Sequence, residues 1–152
     1  QIYARHLTDK GSIQFYEEVA DVGSFFEKTQ HNGNLLRVLL KDFKTQGNRC
    51  YVYGASTKGN TILQLWNLGE YFEGVAEIHP DKIGRYTVGT DIPIVDEQEA
   101  LKLADVFFVP NFGFKDLFTE KLKEWLDTGG KLIFAMPEVE VVHADEKIIN
   151  DL

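Results

Sequence analysis

The residues best suited to ligand chemistry form a glycine-containing turn near the middle of the chain. The turn consists of seven consecutive residues: Gly54, Ala55, Ser56, Thr57, Lys58, Gly59 and Asn60. An apolar run precedes it and a segment with helical periodicity follows it, so it joins a predicted strand to a predicted helix. Backbone amides at a helix N-terminus are unpaired and carry partial positive charge. The sequence therefore predicts an anion site whose donors are the amides of residues 55–59.

The residue types in this turn suit that role. Gly54 allows a sharp turn, and Gly59 allows the helix to pack closely on the sheet. Ser56, Thr57 and Lys58 add hydroxyl and cationic donors. One alternative stays open, in which the glycines serve only the turn and Ser56 or Thr57 only caps the helix. The position directly after the first core strand favours anion binding.

Three established motifs come close to this turn, and each fails at one position. The dinucleotide-binding fingerprint requires glycine where Ser56 stands, which weakens the case for NAD. The Walker loop requires lysine where Asn60 stands, which argues against ATP hydrolysis. The nucleophile elbow of hydrolases requires glycine where Lys58 stands. The turn is thus predicted to bind an anion without matching any of these activities.

A second candidate segment follows the next predicted strand and contains His79, Lys82 and Arg85. In a doubly wound sheet, the end of the second strand lies beside the phosphate turn, where a ribose or base would sit. Lys82 and Arg85 would supply positive charge there in an otherwise acidic chain. A plain loop with solvated charges is the alternative that stays open.

The sequence indicates neither a metal centre nor a catalytic residue set. The four histidines are scattered, and the single cysteine, Cys50, begins the β-type run that ends at Tyr53, so no zinc site or reactive thiol is predicted. Glu138 and Glu140 alternate beyond Pro137 and are predicted to face solvent rather than to form an acid–base pair. We therefore assign no catalytic residue and no metal ligand.

The elements that position these segments follow from changes in hydrophobic periodicity. Apolar residues at helical spacing predict two helices within 13–46, or one long helix with a weak point near Gly33. Continuous apolar runs then alternate with helical segments, as in a parallel sheet covered on both faces. The predicted strands are 51–53, 75–78, 106–109 and 132–134, with a short extended piece at 92–95, and the predicted helices are 57–68, 97–103 and 114–126. The fold class is α/β: a Rossmann-like, doubly wound, mainly parallel sheet with its first strand central and an N-terminal helical segment.

Composition argues against several classes of function. The 152 residues suit one domain, and their net charge of −8 argues against nucleic-acid binding, because phosphate contacts need clustered cations. No apolar run approaches the length of a membrane span, and no signal peptide is evident. A single cysteine permits no internal disulfide, so a cytoplasmic location is expected.

Four ordered segments resemble the C-terminal domain of S-adenosylmethionine-dependent sugar C-methyltransferases. They are residues 53–61, residues 80–94 with Lys82, Gly84, Arg85 and Tyr86, residues 105–112 ending in Pro110, Asn111 and Phe112, and residues 129–138. The similarity extends over about residues 33–142. The sequence departs from the family pattern at His79, where asparagine is usual, at Val88, where proline is frequent, and at Asn111, where tryptophan is common.

The resemblance implies a nucleotide-sugar ligand, typically a thymidine-diphosphate sugar, clamped against the methyl-donor domain of the same protein. It adds Tyr86, Pro110, Asn111 and Phe112 to the residues expected to bind substrate. Because the family's acid–base residues belong to the preceding domains, this chain is expected to be inactive alone. S-adenosylmethionine is implied for the parent enzyme, and no cofactor is implied for this chain. Residues 1–12 are expected to be a remnant strand and linker, and residues 13–152 the Rossmann-like domain, with helices at 13–46 and the sheet core at 49–142.

Three alternatives remain at this point. The chain could be a free-standing Rossmann domain that binds NAD, coenzyme A or a nucleotide-sugar. It could resemble the N-terminal domain of sugar N-acyltransferases, whose second strand is also followed by a loop with spaced glycines. It could also be a structural docking domain whose ligand site has decayed.

Overall fold

The computed structural model describes residues 22–144 and the backbone of Lys147–Ile149. The expected remnant at residues 1–12 and the start of the helical segment lie outside the described residues. The helices are α1 (Val22–Thr45), α2 (Thr57–Leu65), α3 (Glu97–Leu103), α4 (Lys115–Lys121) and α5 (Lys123–Asp127), with 3₁₀ turns at Gly69–Tyr71 and Phe112–Phe114. The strands are β1 (Cys50–Tyr53), β2 (Gly74–Glu77), β3 (Ile94–Asp96), β4 (Val106–Phe108), β5 (Lys131–Phe134), β6 (Glu140–Val142) and β7 (Lys147–Ile149).

The seven strands form one sheet in the order β3-β2-β1-β4-β5-β6-β7. The five from β3 to β5 are parallel, with Val52 opposite Val75 on one side and Phe108 on the other. The last two strands are antiparallel to their neighbours. The α/β, mainly parallel fold is confirmed, and β1 lies at the centre of its parallel part as predicted.

Alternating side chains of the central strands supply two hydrophobic layers, one on each face of the sheet. On one face Val52 and Val75 pack with Leu36 of α1 and Leu63 of α2. On the opposite face, aromatic residues of β1 and β4 pack with the apolar residues of α3 to α5. These residues are Tyr51, Tyr53 and Phe107 of the strands, and Ala100, Leu122 and Leu126 of the helical layer. Each fully buried leucine contributes about 1.5–3 kcal/mol to folding. The sheet is thus covered on both sides, which explains why its strands read as continuous apolar runs.

The N-terminal helical segment differs from one of the two forms predicted for it. Helix α1 runs without a break through Gly33, so the described residues hold one helix and not two. A Cβ atom at Gly33 would lie 2.6 Å from Cδ1 of Trp66. The glycine therefore permits close contact between α1 and the end of α2, and its turn-like sequence is overridden by packing.

Two predicted helices end or break earlier than their periodicity suggested. Helix α2 ends at Leu65 rather than at residue 68, because Asn67 adopts a left-handed backbone conformation with φ of 51°. The segment predicted as one helix over 114–126 consists of a 3₁₀ turn, α4 and α5, which are separated at Leu122. The extended piece predicted at 92–95 includes most of β3, which forms the edge of the parallel part.

The prediction that Glu140 faces solvent was wrong. Glu140 begins the antiparallel strand β6, opposite Phe134 of β5, and is half-buried. Its carboxylate forms an ion pair with Lys115 at the start of α4. Three strand residues are too few for alternation to reveal which face is covered. Glu138 is exposed as predicted and pairs with Lys28 of α1.

Candidate functional site

The two predicted segments and the Pro110–Phe112 segment follow strands whose carboxyl ends meet at one edge of the sheet. The chain leaves β1 at Gly54 and returns to β2 on one side, whereas β4 lies on the other side of β1. In open α/β sheets this reversal of strand order creates a crevice, and ligands bind there. By this rule, the crevice of this sheet is expected between the turn at Gly54 and the segment after β4.

The turn after β1 has the conformation that its glycine requires. Gly54 has a φ of 93°, in the left-handed region, and its amide donates a 2.9 Å hydrogen bond to Ala76 O of β2. Ser56 is the N-cap of α2, and its Oγ accepts a 3.0 Å hydrogen bond from the amide of Gly59. The predicted capping role of Ser56 therefore exists, beside whatever the turn binds.

The amides of residues 55–59 are not equally available to a ligand. Gly59 N donates to the Ser56 side chain, and Ser56 N donates to Gly54 O over 3.1 Å. Within the described part of the chain, the amides of Ala55, Thr57 and Lys58 have no hydrogen-bond acceptor. Three unpaired donors at the N-terminus of a nine-residue helix are the arrangement that accommodates a phosphate oxygen.

The segment after β4 closes the other side of the crevice. A Cβ atom on the buried Gly59 would lie 3.4 Å from Cγ of Pro110, so the glycine allows α2 to approach this segment. The Lys58 ammonium donates to Asn111 Oδ1 over 3.3 Å and lies 4.7 Å from the centre of the Phe112 ring. The structure therefore brings the Gly54–Asn60 turn and the Pro110–Phe112 segment together.

The loop after β2 contributes one of its predicted residues to this contact region. Lys82 Nζ donates to Ala55 O over 2.8 Å and to Glu77 Oε2 over 2.9 Å. His79 is exposed and its nearest ionic partner is Asp81, at 3.9 Å. Lys82 thus lies directly beside the turn, and two of its three ammonium hydrogens are already engaged within the protein.

Arg85 and Tyr86 lie farther along this loop, beside the start of β3. Arg85 O accepts a 2.8 Å hydrogen bond from Ile94 N, and Tyr86 pairs with Pro93 in an antiparallel bridge. Both side chains are exposed, and neither forms a hydrogen bond or ion pair with the Gly54–Asn60 turn among the described residues. The structure does not bring these two residues into contact with the turn.

The sequence does not single out Glu77, because this residue ends an apolar strand and resembles any strand residue. Only 9% of it is exposed, and its Oε1 accepts hydrogen bonds from Ile78 N (2.9 Å) and His79 N (3.0 Å). Burial alone would raise the pKa of Glu77, but the hydrogen bonds from Lys82 and the two amides outweigh it and lower that pKa. The one sequence signal was an acidic residue at the end of the second strand, where dinucleotide-binding domains carry theirs.

A second polar cluster lies at the end of β1, on the face of the sheet that α3 to α5 cover. Lys121 Nζ donates to the buried Glu97 over 2.8 Å and lies 5.3 Å from the centre of the Tyr53 ring. The Tyr53 hydroxyl is buried and has no hydrogen-bond partner among the described residues. Burial raises the pKa of Tyr53 to about 12. This cluster links α3 to α4 beneath the turn.

Neither a metal site nor a membrane span is apparent in the described residues. No group of three or more His, Cys, Asp or Glu side chains there is arranged to hold a metal ion. None of the described helices combines the length and the apolar character needed to cross a bilayer.

Comparison with known sequences decides the family. The sequence profile of the C-methyltransferase C-terminal domain matches residues 7–137. This chain belongs to the C-methyltransferase C-terminal domain family. The resemblance predicted from the four segments is confirmed, and all the predicted site residues fall within the matched range.

Proteins that are similar to this domain include a C-methyltransferase and a dehydrogenase. The C-methyltransferase NovU of Streptomyces niveus is 28% identical over 115 residues, which are 74% of this chain and 27% of that protein. The chain thus spans about a quarter of the length of this relative. The structure of UDP-D-quinovosamine 4-dehydrogenase from Vibrio fischeri matches with a TM-score of 0.43 and 16% identity, over 60% of this chain and 79% of that one.

Proposed function

We propose that this domain binds the nucleotide-sugar substrate of an S-adenosylmethionine-dependent sugar C-methyltransferase, most simply a thymidine-diphosphate sugar. The observation that carries the proposal is the group of free donors at the carboxyl end of β1. Three unpaired amides lie there beside Lys58 and Lys82, in a chain whose net charge is −8. Local cations and helix amides in an acidic protein favour a compact anion such as a diphosphate.

The charges support a diphosphate more strongly than a nucleic acid. A duplex or a single strand requires an extended row of cations to follow its backbone. Here Lys58 and Lys82 flank one turn, and Arg85 lies beyond contact with it. The partner we propose is therefore a small molecule, with the methyl-donor domain of the same protein covering it.

S-adenosylmethionine fits this crevice less well than a nucleotide-sugar does. It carries no phosphate that the free amides could bind. It also presents a ribose whose two hydroxyls call for a free carboxylate at the end of β2, as in dinucleotide-binding domains. The carboxylate at that position, Glu77, already accepts hydrogen bonds from Lys82 and two backbone amides. We place the methyl donor on the preceding domain of the parent enzyme.

The same carboxylate, which already accepts three hydrogen bonds, argues against NAD as the ligand, since NAD also relies on its ribose hydroxyls. We propose that this chain positions the substrate. We also propose that the parent enzyme acts in the cytoplasm, because the single cysteine of this chain, Cys50, is buried and not in a disulfide. Deprotonation of a sugar carbon belongs to residues outside this chain in this proposal.

Calorimetric titration of the purified chain tests the proposal. Thymidine-diphosphate glucose should bind at least about tenfold more tightly than NAD. NAD also carries a diphosphate, but the carboxylate that its ribose hydroxyls would need, Glu77, already accepts hydrogen bonds from Lys82 and two backbone amides. Thymidine alone should bind weakly, since it lacks the diphosphate. Tighter binding of NAD than of the nucleotide-sugar would replace the proposal with a dinucleotide-binding function.

A further inference from the structure

The buried Glu77 and the half-exposed Lys82 connect two segments that are distant in sequence. Glu77 Oε1 holds the amides of Ile78 and His79, and Glu77 Oε2 lies 2.9 Å from Lys82 Nζ. The same ammonium lies 2.8 Å from the carbonyl oxygen of Ala55. A single chain of contacts therefore runs from the end of β2, through one ammonium group, to the turn after β1.

We propose that Glu77 is a positioning residue for the anion turn and that it acts through Lys82. The proposal deepens the function proposed above and rests on it for the identity of the ligand. Glu77 fixes the ammonium of Lys82, and Lys82 fixes the peptide group whose carbonyl belongs to Ala55 and whose amide belongs to Ser56. The orientation of that peptide group sets the direction of the adjacent amides of Ala55 and Thr57.

The burial of Glu77 makes this connection stiff. A carboxylate that is 9% exposed loses most of its solvation, so it is stable only while its hydrogen-bond donors stay in place. Its three donors are Lys82 and the amides of Ile78 and His79. The Lys82 ammonium is consequently held near the crevice before any ligand arrives, and preorganised donors bind an anion without the cost of being ordered.

The proposal also assigns a role to Glu77 that differs from the role of the acid at the end of the second strand in dinucleotide-binding domains. In dinucleotide-binding domains that carboxylate accepts hydrogen bonds from a ribose. In this domain it is turned toward the protein's own loop and ammonium. Glu77 occupies the position of a ribose-binding residue, but its hydrogen bonds hold the loop after β2 and Lys82 in place.

Four variants of the complete chain test the positioning role: Lys82→Met, Lys82→Arg, Glu77→Gln and, as a control, Lys102→Met. Lys102 is exposed in the last turn of α3, away from the carboxyl edge of the sheet. The first measurement is the ¹³C chemical shift of the Ala55 carbonyl in the ligand-free protein, which reports directly on its hydrogen bond. The second is the affinity for thymidine-diphosphate glucose by calorimetry.

We expect Lys82→Met and Glu77→Gln to move the Ala55 carbonyl resonance upfield and to weaken binding, by about tenfold for Lys82→Met and a few-fold for Glu77→Gln. Lys82→Arg should restore most of the affinity, because its several N–H groups can reach both acceptors. The control should match the wild type in both measurements.

The outcomes separate the two proposals. A Glu77→Gln variant with wild-type carbonyl shift and wild-type affinity overturns the positioning role and leaves the proposed function intact. If the wild type binds no nucleotide-sugar, the proposed function fails, and the Ala55 carbonyl shift still decides whether Glu77 orients the turn. A loss of affinity in Lys82→Met without movement of the Ala55 resonance also overturns the role, since Lys82 would then act only as a charge.

Discussion

The Lys58 ammonium donates a 3.3 Å hydrogen bond to the side-chain oxygen of Asn111, across the crevice between the turns after β1 and β4. The two residues are 53 positions apart in sequence. Their contact shows that the strand order places the Gly54–Asn60 turn and the Pro110–Phe112 segment on one surface. It also shows where the Lys58 side chain goes: over the Phe112 ring, at the crevice, and not outward along the helix surface.

Replacing Lys58 by alanine should weaken the binding of a nucleotide-diphosphate sugar by about tenfold or more, because a charge-assisted contact to phosphate is worth about 1.5–3 kcal/mol. Folding should hardly change, since Lys58 is exposed. Calorimetric titration measures the effect. Lys102→Ala is the matched control; Lys115→Ala is unsuitable, because Lys115 is paired with Glu140. Equal affinities for the Lys58 variant and the control would remove Lys58 from the site.

Replacing Gly59 by leucine should reduce affinity more than Lys58→Ala does. Even a Cβ atom there would lie 3.2 Å from Ser56 Oγ and 3.4 Å from Pro110 Cγ, so a larger side chain must displace both turns. Overpacking of this kind costs about 1–3 kcal/mol of stability. Gly113→Ala is the control for stability, because a Cβ atom at Gly113 meets nothing within 4 Å. Urea unfolding and calorimetry give the two quantities. Wild-type affinity in a folded Gly59→Leu protein would mean that the phosphate lies elsewhere.

Stability should fall in alkaline solution over a defined interval. Burial raises the pKa of the Cys50 thiol from 9.0 to about 11 and that of Tyr53 from 10.0 to about 12. Between the pKa of the unfolded chain and the raised pKa of the folded protein, the folded protein holds a proton that the unfolded chain has lost. The free energy of unfolding is therefore unaffected below the unfolded pKa and decreases until the pH reaches the folded pKa. The free energy of unfolding should therefore decline from about pH 9 to pH 12, by up to about 3 kcal/mol for each group.

The variant Cys50→Ala with Tyr53→Phe should flatten this alkaline decline. The phenylalanine change should cost little near neutral pH, because the Tyr53 hydroxyl is buried without a partner among the described residues. Urea unfolding of both proteins from pH 7 to pH 12 provides the measurement. Parallel stability curves for the variant and the wild type would show that these two groups do not cause the decline.

Replacing Asn32 by alanine should destabilise the fold by about 1–3 kcal/mol. The Asn32 amide is buried and donates to Ala135 O at 2.9 Å and to Pro137 O at 3.0 Å, which ties α1 to the chain after β5. Its removal leaves both carbonyl groups without this donor. The exposed Gln98→Ala serves as the control, with an expected change below about 0.5 kcal/mol. A similar urea midpoint for the two variants would contradict this role.

The fold was predictable because its signals are local and consistent. The apolar runs that became β1, β2, β4 and β5 are continuous, and glycine marks the turn after β1 with a φ that only glycine adopts readily. Strand β6 was missed because three residues carry no periodicity and β5 supplies its partner. The choice between one helix and two near Gly33 could not be made from the sequence, because Trp66, which requires the small size of Gly33, is distant in sequence.

The site was predictable in position but not in detail. The turn and the Pro110–Phe112 segment follow neighbouring parallel strands, and topology alone brings them together. Which donors remain free depends on individual hydrogen bonds, and Ser56 and Glu77 each occupy groups that sequence spacing would leave available. Lys82 was singled out for its charge, whereas its bridging of Glu77 and Ala55 depends on side-chain geometry.

The central claim is that a sugar diphosphate binds to the free amides at the start of α2. The most direct test is a titration of the ¹⁵N-labelled chain with thymidine-diphosphate glucose, followed through amide chemical shifts. The amides of Ala55, Thr57 and Lys58 should show the largest saturable shifts, with smaller ones at Asn111 and Phe112. Saturable shifts confined to another part of the chain, or no saturable shift up to millimolar ligand, would contradict the claim.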